Sequence, residues 1–121
     1  MFKGLRTVIY NVDNIQKAKE WYTSILGYKP YFDQPFYVGF NIGGYELGLD
    51  PNPKHNSKGK NEAAYWGVEN IKETYDHLIK NGAEKYTEVQ DVGEGIKVAS
   101  VLDPFGNIIG IIENPHFKIE E

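Results

Sequence analysis

Apolar and polar residues alternate along "LRTVIYNV" (5–12), a stretch rich in β-branched side chains, and this predicts a strand. The period then changes. In "DNIQKAKEWYTSILG", Ile15, Ala18, Tyr22 and Ile25 recur at the spacing of one helical face. Asp13 or Asn14 can cap the start of that helix, and Gly27 follows its last apolar position as a C-terminal stop. "YKPYFDQ", "FYVGFNI" and "YELGLD" are three further strand candidates, divided by Gln34-Pro35 and Gly43-Gly44.

After a polar Pro/Asn/Lys loop, "PNPKHNSKGKNE" (51–62), the same order returns. "AAYWGVE" predicts a strand, and "NIKETYDHLIKNGA" a helix with Ile71, Tyr75 and Leu78 on one face. Asn70 with Glu73 resembles a capping box, and Asn81-Gly82 closes the helix. "EKYTEVQDVG", "IKVASVLD" and "NIIGIIE" supply three more strands. The order β-α-β-β-β therefore occurs twice. Writing "NVDNIQKA" over "GVENIKET" aligns Asn14 with Asn70, and writing "LGLDPNP" over "IGIIENP" aligns Gly48 with Gly110. An internal repeat constrains a fold more than a single motif does. The expectation is one domain over 1–121, with module one at about 1–53, module two at about 63–115, and a C-terminal tail.

Composition narrows the function classes. A net charge of −4, with both signs scattered, lacks the basic footprint of a nucleic-acid binder. No run of about 20 apolar residues argues for a membrane span, and the chain opens directly into "FKGLRTVIYNV", so a cytoplasmic protein is expected. With no cysteine, disulfides, thiolate metal sites and Cys nucleophiles are excluded. Ser24, Ser57 and Ser100 have no positioned histidine beside them, and "DVGEGIK" opens no helix, so neither a hydrolase triad nor a phosphate loop is indicated.

"VDNIQKAKEWYTSILGYKP", "YWGVENIKETYDHLIKNGA" and above all "LDPFGNIIGIIENP" resemble the vicinal oxygen chelate superfamily: the glyoxalase, bleomycin-resistance and extradiol-dioxygenase group. The likeness covers nearly the whole chain. It implies an α+β fold of two βαβββ modules whose curled mixed sheets surround a cleft, helices outside and ligand inside. Strand parity then places Thr7, Ile9, Asn11, Glu46, Gly48, Asp50, Ala63, Tyr65, Gly67, Ile108, Gly110 and Ile112 on the cleft face.

Metal-using relatives place His, Gln or Glu on the first and last strand of each module. Carried over, those positions are Thr7, Gly48, Ala63 and Gly110, none an ordinary side-chain ligand. The histidines do not substitute: His55 lies in the loop, His116 in the tail, and His77 about 240° round its helix from Ile71. Glu46 alone would make a poor transition-metal site. Neither metal nor cofactor is expected. The space left by four small residues is either filled by Ile9, Tyr65, Ile108 and Ile112 or open to a guest. Tyr31, Phe32, Phe36, Tyr37 and Tyr65 suit an aromatic guest, and Glu46 and Asp50 a cationic one.

The resemblance thus implies a homodimer and, with these residues in the cleft, a metal-independent small-molecule-binding protein in the manner of the bleomycin-resistance branch. Two alternatives stand beside it. One is a metal-dependent enzyme of glyoxalase or dioxygenase type with displaced ligands. The other is a non-catalytic dimer module whose cleft is filled by its own side chains.

Overall fold

The computed structural model describes Met1, residues 5–53 and residues 64–116. Chain contacts divide the molecule into two compact units, Met1–Gly59 and Lys60–Glu121. Each is a four-stranded mixed sheet with one helix packed on it, an α+β arrangement.

In the first unit the order is β1 (Thr7–Asn11), α1 (Ile15–Leu26), β2 (Phe32–Gln34), β3 (Tyr37–Ile42) and β4 (Tyr45–Asp50). The sheet runs β1-β4-β3-β2, with β1 parallel to β4 and the other neighbours antiparallel. The sequence leaves the cap of α1 open between Asp13 and Asn14. The Asn14 carboxamide oxygen takes it, accepting from the Lys17 N–H, and Gly27 ends the helix in the left-handed region at φ 83°. The strand expected from Tyr28 begins only at Phe32, because Pro30 brings no N–H to a ladder. Alternation sends Tyr10, Val12, Val38, Phe40, Leu47 and Leu49 to the helix side, where all are buried with Ala18 and Tyr22. Tyr22 lies between Tyr10 and Phe40, with ring centroids 6.2 and 6.4 Å away.

The second unit repeats this plan with β5 (Tyr65–Gly67), α2 (Ile71–Lys80), β6 (Glu84–Asp91), β7 (Lys97–Leu102) and β8 (Ile108–Glu113), in the order β5-β8-β7-β6. Its core is Ile71 and Leu78 of α2 with Ala99, Val101, Ile109 and Ile111. Asn70 caps α2 by accepting from the Glu73 N–H at 3.1 Å, one half of the expected capping box. A different donor of the first turn, the Ile71 N–H, is taken by the Glu113 carboxylate from the end of β8, at 2.9 Å. A negative charge there also complements the helix dipole.

The repeat extends to register. Ile9 stands opposite Gly48 in the β1–β4 pair, and Tyr65 opposite Gly110 in the β5–β8 pair. The "DPFGN" turn feeding β8 is locked by buried Asp103, whose carboxylate accepts from the Phe105 and Asn107 N–H groups at 2.9 and 2.8 Å.

Candidate functional site

The face of the first sheet turned away from α1 carries Thr7, Ile9 and Asn11 from β1, Glu46, Gly48 and Asp50 from β4, and Tyr37 and Gly39 from β3. Gly39 and Gly48 are direct cross-strand partners, so two adjacent positions of that face have no side chain. Two tyrosines lie across the bare floor. A Cβ on Gly48 would fall 2.6 Å from the Tyr37 Cζ and nearer still to its hydroxyl. One on Gly39 would fall 3.3 Å from the Tyr31 Cε1 and 3.0 Å from the Glu46 Oε2.

The tyrosine hydroxyls meet on Glu46. Tyr37 donates to Oε1 at 2.6 Å, the length of a charge-assisted bond, and Tyr31 donates to Oε2. Thr7 Oγ1 donates to Oε1 at 3.3 Å. A carboxylate has about four acceptor sites, so three are occupied. Burial by itself raises the Glu46 pKa, but the hydroxyl bonds from Tyr31, Tyr37 and Thr7 together outweigh it and hold the carboxyl below its usual range. The phenols respond in the other direction. Tyr37 is raised by burial, then by its bond to Glu46 and by the negative charge of Glu46. Tyr31 is raised chiefly by its bond to Glu46.

Tyr31, Phe32, Phe36, Tyr37, Glu46 and Asp50 line an open recess of about 510 Å³. Among the sequence candidates, Thr7, Tyr37, Glu46, Gly48 and Asp50 thus share one neighbourhood. Ile9 is on the same face, opposite Gly48 and 46 % exposed. Asn11 is buried with its amide donating to the Asp50 and Asn52 carbonyls, at 3.0 and 2.8 Å, where it holds the exit of β4. Gly39 escaped the sequence reading; its signal was the alternation in "YVGFNI", which puts it on the face of Tyr37.

In the second unit Tyr65 lies over Gly110, where a Cβ would meet its Cδ1 at 2.7 Å and the Ala64 carbonyl oxygen at 2.6 Å. Ile112 follows on the same face and is half-buried. Ala63, His55, Ser57 and most of the 51–62 loop lie outside the described residues. A second recess of about 720 Å³ lies beside α2, with Lys72, Lys85, Lys97 and five carboxylates at its walls. Lys72 pairs with Asp76 at 2.9 Å and Lys85 with Glu88, so much of its charge is already balanced.

The profile of the Glyoxalase/Bleomycin resistance protein/Dioxygenase superfamily matches residues 4–111. The chain belongs to this superfamily. Solved structures agree on the fold. A glyoxalase-related enzyme from Fulvimarina pelagi superposes with TM-score 0.80 at 18 % identity, covering 98 % of this chain and 94 % of its own. A lactoylglutathione lyase from Agrobacterium tumefaciens gives 0.76 at 15 %, covering 99 % and 100 %. A glyoxalase/bleomycin resistance protein from Catenulispora acidiphila gives 0.70 at 23 %, covering 93 % and 100 %. A search of curated proteins found no match.

The superfamily resemblance implies a divalent metal at Thr7, Gly48, Ala63 and Gly110, and the residues present do not fit one. Gly48 and Gly110 offer no side chain, and any side chain at Gly48 would collide with Tyr37. Thr7 supplies only a hydroxyl, already donated to Glu46. Among the described residues no three His, Cys, Asp or Glu are grouped to hold an ion.

Proposed function

We propose that this superfamily member is a metal-independent small-molecule-binding protein, whose ligand sits on the sheet face of the first unit. The observation that carries the reading is the pair of tyrosines laid over Gly39 and Gly48 with their hydroxyls on Glu46. Side chains that would ligate a metal are replaced by an acceptor already occupied by protons from its neighbours. Beside it stands a recess walled by aromatic rings, the surface type that grips a small guest by area and orientation. The proposal includes a homodimer as the working assembly.

The test is metal analysis of the purified chain after exhaustive dialysis, followed by thermal-shift measurements with added Mn²⁺, Ni²⁺ and Zn²⁺. Substoichiometric metal and no stabilisation by any of the three are expected. About one ion per chain resisting dialysis would overturn the reading in favour of glyoxalase- or dioxygenase-type catalysis.

One observation favours a second reading. Tyr37 over Gly48 and Tyr65 over Gly110 each fill a position that a glycine leaves bare, as a module with a self-filled face would require. Failure of every compound in a broad aromatic library to raise the melting temperature would favour that module over the binder.

A further inference from the structure

We propose that the recess over β2, β3 and β4 selects a quaternary ammonium group, held against Phe32, Phe36 and Tyr37 beside the carboxylates of Glu46 and Asp50. The inference rests on the reading of this face as a small-molecule site and names the class of its ligand.

Ring geometry comes first. Phe32 stands 6.1 Å from Phe36 at an interplanar angle of 67°, and 6.2 Å from Tyr37 at 54°. Phe32 and Phe36 meet edge to face and Phe32 and Tyr37 are tilted, so neither contact stacks two ring faces flat against one another. Cations bind such faces through the ring quadrupole, and aromatic cages recognise quaternary ammonium groups in this manner. These rings contribute little to the core: Phe36 is 67 % exposed, Tyr31 64 % and Phe32 38 %. Apolar surface held out to water and clustered at a recess marks a binding surface more than a folding requirement.

Charge comes second. Among the described residues, the recess wall includes two carboxylates and no Lys, Arg or His. The hydroxyl bonds that keep Glu46 below its usual pKa sustain the negative charge near neutral pH.

Hydrogen-bonding capacity then separates one cation from another. A primary ammonium carries three N–H donors that water satisfies, and each must find an acceptor on binding. Glu46 already accepts from Tyr31, Tyr37 and Thr7, and Asp50 Oδ1 accepts from the Asn52 N–H at 2.9 Å. The recess therefore has charge to offer, but three of the roughly four acceptor sites of Glu46 are taken, and a primary ammonium must share its three N–H donors between the last of them and Asp50. A quaternary nitrogen needs no acceptor, and its methyl groups gain by covering the rings.

The experiment is an NMR and calorimetric titration of the full chain with benzyltrimethylammonium, benzylammonium and benzyl alcohol. Benzyltrimethylammonium should bind roughly tenfold tighter than either of the others. Its chemical-shift changes should centre on Tyr31, Phe32, Phe36 and Tyr37. Phe36→Ala, at an exposed position that leaves the core untouched, should weaken it about fivefold with the melting temperature unchanged. Equal affinities for all three compounds at this recess would overturn the cation preference and leave the binding reading standing. Absence of shift changes at the recess with any of the three would overturn both.

Discussion

Gly48 and Gly110 occupy the same place in their units, yet alanine should act differently at each. At Gly48 the new Cβ meets the far end of a side chain, so Tyr37 can swing aside. Gly48→Ala should keep the fold and lose the Tyr37–Glu46 bond, costing about 1.5–3 kcal/mol for a hydrogen bond to a charged group. At Gly110 the Cβ meets the Ala64 carbonyl, which also accepts the Gly110 N–H at 3.0 Å, so the backbone itself must move. Gly110→Ala should cost about 1–3 kcal/mol through overpacking and shift the Tyr65 ring resonances with those of Tyr37 unchanged, whereas Gly48→Ala should shift the Tyr37 ring resonances. Urea denaturation with aromatic NMR checks both. Glu46 adds a pH dependence. Its folded pKa lies below the ordinary value of 4.5, so the folded chain binds fewer protons there than the unfolded chain. The stabilisation is present above that ordinary value and is lost as pH falls through the folded one. Melting temperatures from pH 7 to pH 3 should fall less steeply in Glu46→Gln than in the parent chain. Parity alone put Glu46, Gly48 and Asp50 on one face. That Tyr31 and Tyr37 converge on Glu46 was not legible, because it depends on side-chain torsions reaching across strands.

At the scale of elements, the two helices share a plan and differ in one support. Both begin at an Asn whose side chain accepts an N–H three residues on; because capping is local chemistry, the sequence pointed to Asn70 and narrowed the α1 cap to Asp13 or Asn14. Asn14→Ala and Asn70→Ala should each cost about 1 kcal/mol, read from equilibrium unfolding. Glu113 was read only as the end of a strand. Its carboxylate reaches the Ile71 N–H from far along the chain, a contact no periodicity encodes. Glu113→Gln should keep an acceptor but lose the charge at the helix N-terminus, costing about 0.3–1 kcal/mol, less in high salt. Strand lengths were the other departure. β2 and β5 have three residues each, shorter than "YKPYFDQ" and "AAYWGVE" suggest, because a ladder needs a partner's matching groups as well as an extended chain.

At the scale of the molecule, the proposed homodimer is checked by sedimentation equilibrium, where a mass of twice the 13.8 kDa chain is expected and a single-chain mass would remove it. Among the described residues no helix is long and apolar enough to cross a membrane. By itself the sequence determined the doubled βαβββ order, the cap of α2, the faces of the strands and the superfamily. Each of these follows from local propensity, from a period of 2 or 3.6, or from repetition along the chain. Only the tertiary structure decided what occupies the space above Gly48 and Gly110, which acceptor sites of Glu46 are taken, and which rings stand around the recess. Those depend on where side chains from different strands meet, and hydrophobic pattern fixes the face a residue occupies without fixing the atom it touches.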